Sequence, residues 1–406
     1  EMQRSLVGSE MCIRDSMKRI AIISFYHIEA SICLAKYLGL RNDIEVDYYF
    51  IADVLRDKGF QSGIDYHRAN KKLGIQVLGK NEIPEIYKWA YRSKVNFHII
   101  RVLSFSPKFY WLYKIVIKRA VRKINGENYD VINLVGQTPW IEYIHKHLKC
   151  NNLIHSIHEI GKFHVGSVST PYFDELIKKH SKILFYSNFL ENRFKKIDKD
   201  NLCHVTHIPF GVFETTHLYE RTCDTNLNID RNKKTFLFYG FIKPYKGLGL
   251  LKEAHSRLHA IADKYNLIIA GAGTDDALSY FRSEKNVILI NRFMSDGEIS
   301  YLNKIADVVL LPYKTASQSG IVPTSFMYGN PIIATNVGAL GENIKNGING
   351  LLIAPDDSSG FADAMRKVID EDKLLSQLKM GALRFGHEDE YDWNNIAKKT
   401  LDFYFE

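Results

Sequence analysis

The residues best equipped for chemistry lie in short loops that follow apolar runs. Asp307–Thr335 reads DVVLLPYKTASQSGIVPTSFMYGNPIIAT. Asp307–Pro312 is β-branched and apolar, which predicts a buried strand. Ile321–Tyr328 has apolar residues at helical spacing and is stopped by Gly329-Asn330-Pro331. Pro331–Thr335 predicts a second buried strand. The polar loop Lys314–Gly320 therefore leaves the carboxyl end of a strand and enters a helix N-terminus, where open α/β sheets bind ligands and backbone N–H groups favour anions. Gln318 and Ser319 can hydrogen-bond hydroxyl groups, and Ser319, Gly320, Ile321 and Val322 are placed to present main-chain N–H groups. A second loop, Gly240–Gly247 (GFIKPYKG), supplies two cations, Lys243 and Lys246. Gly271 and Gly273, after the strand Asn266–Ala270, permit close backbone approach. His158 follows the strand Asn152–Ile157 and from there can donate a hydrogen bond to a hydroxyl or an oxyanion; the plain alternative is a turn histidine.

These loops need a scaffold of alternating strands and helices. Lys18–Phe25 predicts a strand, His27–Leu40 a helix with Ala30, Leu34 and Leu38 on one face, and Glu45–Ala52 the next strand. That opening is the entry to a Rossmann-like domain, although the usual Gly-rich turn is replaced by Phe25-Tyr26-His27-Ile28-Glu29-Ala30-Ser31. Glu214–Lys234 is polar and aperiodic, hence a linker or surface loop. Alternation restarts at Thr235–Phe241. The fold class is α/β, with one Rossmann-like domain at 17–212, a second at 213–390 and a terminal helix within 391–406.

Composition narrows the class. No apolar run approaches the length of a membrane-spanning helix. The five cysteines, Cys12, Cys33, Cys150, Cys203 and Cys223, are scattered without CxxC spacing and read as reduced structural thiols, not a zinc site. Asp198-Lys199-Asp200 reads as solvated charge after a helix. The net charge of +8 is unevenly placed: Ile86–Gly126 holds no Asp or Glu but many Lys, Arg and aromatic residues. Within it, Pro107–Ile124 predicts a helix with Lys114, Lys118 and Arg122 on one stripe and Tyr110, Trp111, Ile115, Ile117 and Val121 beside it. A basic amphipathic helix with interfacial aromatics suits an anionic membrane surface, and the alternative is the solvated face of a core helix. No nucleic-acid motif accompanies the charge. Residues 1–16, with SLVGSEMCIRDS at Ser5–Ser16, resemble translated sequencing-adapter read-through, so the native start is expected at Met17.

The C-terminal half resembles glycosyltransferase family 4, retaining enzymes of the GT-B fold. Asp307–Thr335 carries the resemblance most strongly; Thr235–Tyr245, Lys246-Gly247, Ala270–Gly273, Asn286–Phe293 and Val337–Gly341 extend it. The resemblance implies two Rossmann-like domains facing across a cleft, the terminal helix packing back on the first. It implies sugar transfer from a nucleotide-diphosphate sugar with retained anomeric configuration, no cofactor and no metal. His158, Lys246 and Gln318 would be catalytic. The donor would be held by Lys243, Lys246, Gly271, Gly273, Arg292, Phe293, Gln318, Ser319, Gly320, Ile321, Val322 and Thr324, and the acceptor by His27 and Glu29. Lys243 would substitute for an arginine whose place is taken by Phe241. Family members often carry two glutamates across the strand–helix junction; here those places fall at Thr324 and about Ala316, and Gln318-Ser319-Gly320 resembles the pattern of a subset. The expected role is cell-surface polysaccharide synthesis on a glycan or lipid-linked acceptor, in the cytoplasm on the inner face of the membrane. The alternatives are a non-catalytic sugar-nucleotide- or membrane-binding subunit and a nucleotide-sugar epimerase of similar build.

Overall fold

The computed structural model describes residues 17–25, 28–53, 73–79, 82–83, 89–102, 110–136, 138–160, 170–214, 227–388 and 390–406. The suspected read-through, His27, Cys223 and most of the linker lie outside the described residues. The chain divides into two units. The first comprises the described residues up to Tyr186, with Glu191–Ile208 and Trp393–Glu406; the second comprises Ser187–Leu190 and Pro209–Asp392.

In the first unit the strands are β1 Lys18–Ser24, β2 Ile44–Asp53, β3 Gly74–Val77, β4 Val95–Val102, β5 Val131–Val135, β6 Leu153–Ile157, β7 Lys182–Phe185 and β8 His204–His207. They form one sheet in the order β3-β4-β2-β1-β5-β6-β7-β8. The edge strand β3 runs antiparallel to β4, and the other pairings are parallel. Strand order reverses between β1 and β5, which makes their carboxyl ends the switch point where α/β sheets take ligands. The helix Ile28–Gly39 starts there, with Glu29 in its first turn. The helices Tyr110–Asn125 and Pro139–His147 cover one face, burying Ile117, Val121, Ile141 and Ile144 against Ile23, Tyr49 and Leu134. Pro139–His147 begins as its sequence dictates: Pro stands in the first turn, and the Thr138 side chain accepts from the Ile141 amide at 3.3 Å.

The second unit has β9 Lys234–Tyr239, β10 Tyr265–Ala270, β11 Val287–Ile290, β12 Val308–Leu311, β13 Ile332–Thr335 and β14 Gly350–Ile353, in the order β11-β10-β9-β12-β13-β14. All the pairings are parallel. Side chains alternate across such a sheet, and here both faces are covered: Phe236 and Phe238 enter one core, Leu237 and Tyr239 the other. This explains why the strands read as continuous apolar runs. The switch point lies between β9 and β12, so Gly240–Gly247 and Pro312–Gly320 leave adjacent strand ends.

Three expectations change. The basic aromatic region is not one surface, because β4 runs through it and buries Phe97 and Arg101. The Asp198 carboxylate is not solvated; it is buried and accepts from the amides of Leu202 at 3.0 Å and Cys203 at 2.8 Å. The linker's last part is not a free surface loop, since Leu227 and Ile229 pack on the second-unit core.

Asp47 is the polar hub of the first sheet. Asn96 donates to it at 2.9 Å, His98 Nε2 lies 3.2 Å away, Arg19 pairs with it at 3.2 Å, and Tyr129 donates its hydroxyl. Burial alone would raise its pKa; the hydrogen bonds from His98, Tyr129 and Asn96 outweigh burial and hold it at about 2. The folded value lies below the unfolded one, so the stabilisation is complete above about pH 4 and is lost as the pH falls toward 2. The contribution is on the order of 2 kcal/mol. Asp47→Asn is expected to lower stability at pH 7 by roughly that amount and to flatten the acid limb, as read from urea denaturation midpoints between pH 2 and pH 7.

Candidate active site

In the second unit the two switch-point loops are locked together by their backbones. The Lys314 amide donates to the Tyr245 carbonyl at 2.8 Å. Gly247 adopts φ +70°, and a Cβ there would stand 1.7 Å from the Pro312 carbonyl oxygen. Only glycine permits that conformation and that approach. The Lys246 ammonium is thereby delivered onto Tyr313. Its Nζ donates to the Tyr313 hydroxyl at 2.6 Å and sits 3.9 Å from the ring centroid. Lys246 from one loop and Tyr313 from the other thus form one polar pair across both loops. Burial, and then the charge of Lys243, bring the Lys246 pKa down to about 7. The ring face and hydroxyl of Tyr313 favour the ammonium form. An anion arriving here would meet a cation that gains by being neutralised.

Gln318 and Ser319 are half-buried and Gly320 is exposed. Of the amides expected to be on offer, that of Val322 is engaged by the Ser319 carbonyl at 3.2 Å. Val322 and Thr324 are buried, and the Thr324 hydroxyl donates to the Gly320 carbonyl at 2.9 Å. These two residues hold the start of the helix Ile321–Met327 together; the Ile321 side chain reaches toward Gly240. Gly271 and Gly273 lie against the other loop. A Cβ at either would fall within 2 Å of the carbonyl oxygen of Gly240 or Ile242, and the Ile242 amide donates to Ala272 at 2.9 Å. Their close approach is to the Lys243 loop, which they fix in place.

Arg292 is paired with Glu298, donating through Nη1 at 3.0 Å and through Nη2, while Glu298 closes a capping box with Ser295 on the helix Asp296–Ile305. The Arg292 hydrogen bond first, with the Ser295 bonds, holds the Glu298 carboxylate at about 2 despite partial burial. Phe293 and Phe241 are 41% and 54% exposed with ring centroids 6.3 Å apart. The two rings stand exposed beyond the ends of β11 and β9, tilted 42° to each other, instead of entering the core.

In the first unit, His158 follows β6 and is buried, its ring 4.3 Å from that of Tyr186. Glu29 is half-buried at the β1 end, above Ser31, whose hydroxyl meets that of Tyr48 at 2.6 Å. Sequence reasoning missed Tyr313, Phe241 and Tyr186. Tyr313 stood one residue past a strand-ending proline, and that position was the available signal. Nothing in the sequence pairs Phe241 with Phe293, 52 positions apart. Among the described residues, no cluster of three or more His, Cys, Asp or Glu side chains has metal-holding geometry.

Residues 221–384, which lie in the second unit, match the family model described as glycosyl transferases group 1. An uncharacterized glycosyltransferase of Methanocaldococcus jannaschii is 28% identical over 186 residues, 44% of this chain and 46% of that protein. The chain thus spans about half the length of the curated relatives it matches. Among solved structures, sucrose-phosphate synthase from Thermosynechococcus elongatus superposes with a TM-score of 0.68 at 14% identity, covering 96% of this chain and 98% of that one. HepE from Anabaena, in complex with UDP and glucose, gives 0.59 at 14% identity over 95% and 98%. The fold is that of the GT-B glycosyltransferases.

Gly247→Ala is expected to cost at least about 1–3 kcal/mol, since a positive φ and a backbone overlap are both forced. The urea midpoint of the variant reads this cost, and a midpoint equal to that of the unaltered protein would show that the Lys246 loop is not locked on Pro312.

Proposed function

We propose that this chain is a retaining glycosyltransferase of family 4 that moves a sugar from a nucleotide-diphosphate sugar onto a glycan or lipid-linked acceptor in cell-surface polysaccharide synthesis. The observation that carries the proposal is the Lys246–Tyr313 pair at the switch point of the second sheet, with Lys243 nearby on the same loop. A nucleotide sugar presents a diphosphate, and two cations beside it stabilise the charge that develops as the glycosidic bond breaks, without a metal. The departing phosphate oxygen would take the acceptor proton. Gln318 and Ser319 would hold sugar hydroxyls, and Phe241 and Phe293 would stack the base. His158 would donate to the sugar, and His27 and Glu29 would meet the acceptor. A relative named as a glycosyltransferase and a neighbour solved with UDP and glucose support this reading.

A thermal-shift panel of nucleoside diphosphates and their sugars, with and without EDTA, tests the donor site. One nucleotide series is expected to raise the midpoint with EDTA present. No shift with any member would remove the proposal. Lys246 adds a sign. In the free protein it is largely protonated at pH 6 and largely neutral at pH 8; a bound diphosphate restores the ammonium. Binding of UDP-glucose at pH 8 is therefore expected to take up a proton, and binding at pH 6 is not, by calorimetry in buffers of different ionisation enthalpy. Lys246→Met is expected to abolish the uptake.

The helix Tyr110–Asn125 supports an anionic membrane surface as partner. Ile117, Ala120, Val121 and Ile124 face the core, while Trp111 and Ile115 are 67% and 49% exposed. Lys114, Lys118, Arg119, Arg122 and Lys123 are exposed around them, and the helix carries no acid. A tryptophan and an isoleucine exposed among five cations support the membrane reading over a solvated core-helix face. No helix among the described residues is long and apolar enough to cross a membrane; the contact proposed is peripheral, on the cytoplasmic side. Co-sedimentation with phosphatidylglycerol vesicles is expected, weakening with salt and with Lys118→Glu/Arg122→Glu, and lost on neutral phosphatidylcholine. Equal binding to both vesicle types would remove this part.

A further inference from the structure

The polar loop that precedes the helix Ile321–Met327 is anchored twice just ahead of Gln318. Ala316 and Ser317 are both buried. The Ala316 carbonyl accepts from the Ala339 amide at 3.0 Å, and Gly338, at φ +54°, lies so close that a Cβ there would stand 1.7 Å from the same oxygen. The Ser317 carbonyl accepts from the hydroxyl of Ser187 at 3.1 Å. Ser187 is buried just after β7 and caps the helix Asn188–Lys195, its Oγ accepting from the Leu190 amide at 3.2 Å. The other two amides of that first turn donate to Glu342, Asn188 to Oε2 at 2.9 Å and Phe189 to Oε1 at 2.7 Å. Ser187 through Leu190 belong to the second unit, as do Ser317 and Glu342.

One hydroxyl therefore serves as a helix cap and as an anchor for the loop. Capping alone uses only its acceptor side; its proton goes outside the helix, to Ser317. The peptide bond is planar, and among the described residues none is cis. The Ser317 carbonyl and the Gln318 N–H thus share one plane and point opposite ways. Fixing that carbonyl fixes the direction of the Gln318 amide and the path by which the chain enters Gln318-Ser319. The Glu342 carboxylate lies at the positive end of the helix and holds the helix start, and Ser187 with it. An alanine at position 187 would leave a buried carbonyl without its donor, a cost large enough to shift a loop. We infer that Ser187 is a positioning residue for Gln318 and Ser319, held in place by Glu342. Its functional meaning rests on the proposal that those two residues hold the donor sugar; its geometry does not.

The test is hydrogen exchange of the full chain, read by mass spectrometry at the Val322 and Leu190 amides. Val322 donates to the Ser319 carbonyl at 3.2 Å and reports the loop; Leu190 donates to Ser187 and reports the cap. In Ser187→Ala the Val322 amide is expected to exchange about tenfold faster, and in Ser187→Thr, which keeps a hydroxyl, at close to the original rate. The amides of β10 are expected to stay unchanged in both. Faster exchange at Leu190 with Val322 unmoved would show a helix cap and nothing more, and would overturn the inference. Exchange as fast in Ser187→Thr as in Ser187→Ala would overturn it too, since the hydroxyl would not be the cause. Glu342→Gln keeps the Ser187 hydroxyl but takes the charge from the helix start. Val322 is expected to speed up there by less, and an unmoved Val322 amide in this variant overturns the inference if Ser187→Ala does not fold. Should Val322 respond while no member of the nucleotide panel raises the midpoint, the proposed function fails and the positioning stands. An unmoved Val322 amide together with a midpoint raised by one nucleotide series would refute the positioning and leave the donor site in place.

Discussion

Two chain segments leave neighbouring strands at the switch point of the second sheet and run in backbone contact, because Gly247 lies against the Pro312 carbonyl and the Lys314 amide donates to Tyr245. This approach, closer than any side chain would allow, brings a half-buried ammonium onto a tyrosine ring and ties both loops to one hydroxyl. Gly271 and Gly273 buttress the Lys243 loop from behind by the same means, with backbone against backbone. The cation at this site is thus held by main-chain geometry. A lysine so placed has lost much of its hydration before any ligand arrives, and that makes it responsive to an anion.

The first sheet solves a different problem. It buries a carboxylate at Asp47 and an amide at Asn133, groups that are costly in an apolar interior unless fully partnered. Each is surrounded by donors or acceptors drawn from elements distant in sequence. Asp47 gathers Arg19, Asn96, His98 and Tyr129, and Asn133 gathers Ser156 and Tyr404. Such hubs bind the strand order together more specifically than apolar contact does, since a register slip would leave a buried polar group without its partner.

The positions that depart from the family pattern have structural counterparts. Phe241, standing where an arginine is common, faces Phe293 at the surface. Thr324, standing where a glutamate is common, turns its hydroxyl onto its own helix. These two positions consequently carry an exposed aromatic ring and an engaged hydroxyl, with fewer charges than the family resemblance leads one to expect.

Much of this was legible beforehand. Runs such as VVLL and IIAT announce doubly buried strands, Ser295 with Glu298 announces a helix start, and Lys246-Gly247 with Gln318-Ser319-Gly320 marks the loops that matter, because periodicity, capping and turn chemistry are local properties. The two-unit α/β alternation follows from the same signals. Strand order, and with it the meeting of the β9 and β12 loops, is decided by tertiary packing. So are the partners of Tyr313, Phe241, Tyr186 and Asn133, and the split of the basic region into a buried strand with Arg101 and an exposed helix with Trp111 and Ile115. In each case the partner lies far along the chain or the choice is between inside and outside, and residue type alone does not settle which face of an element the core will claim.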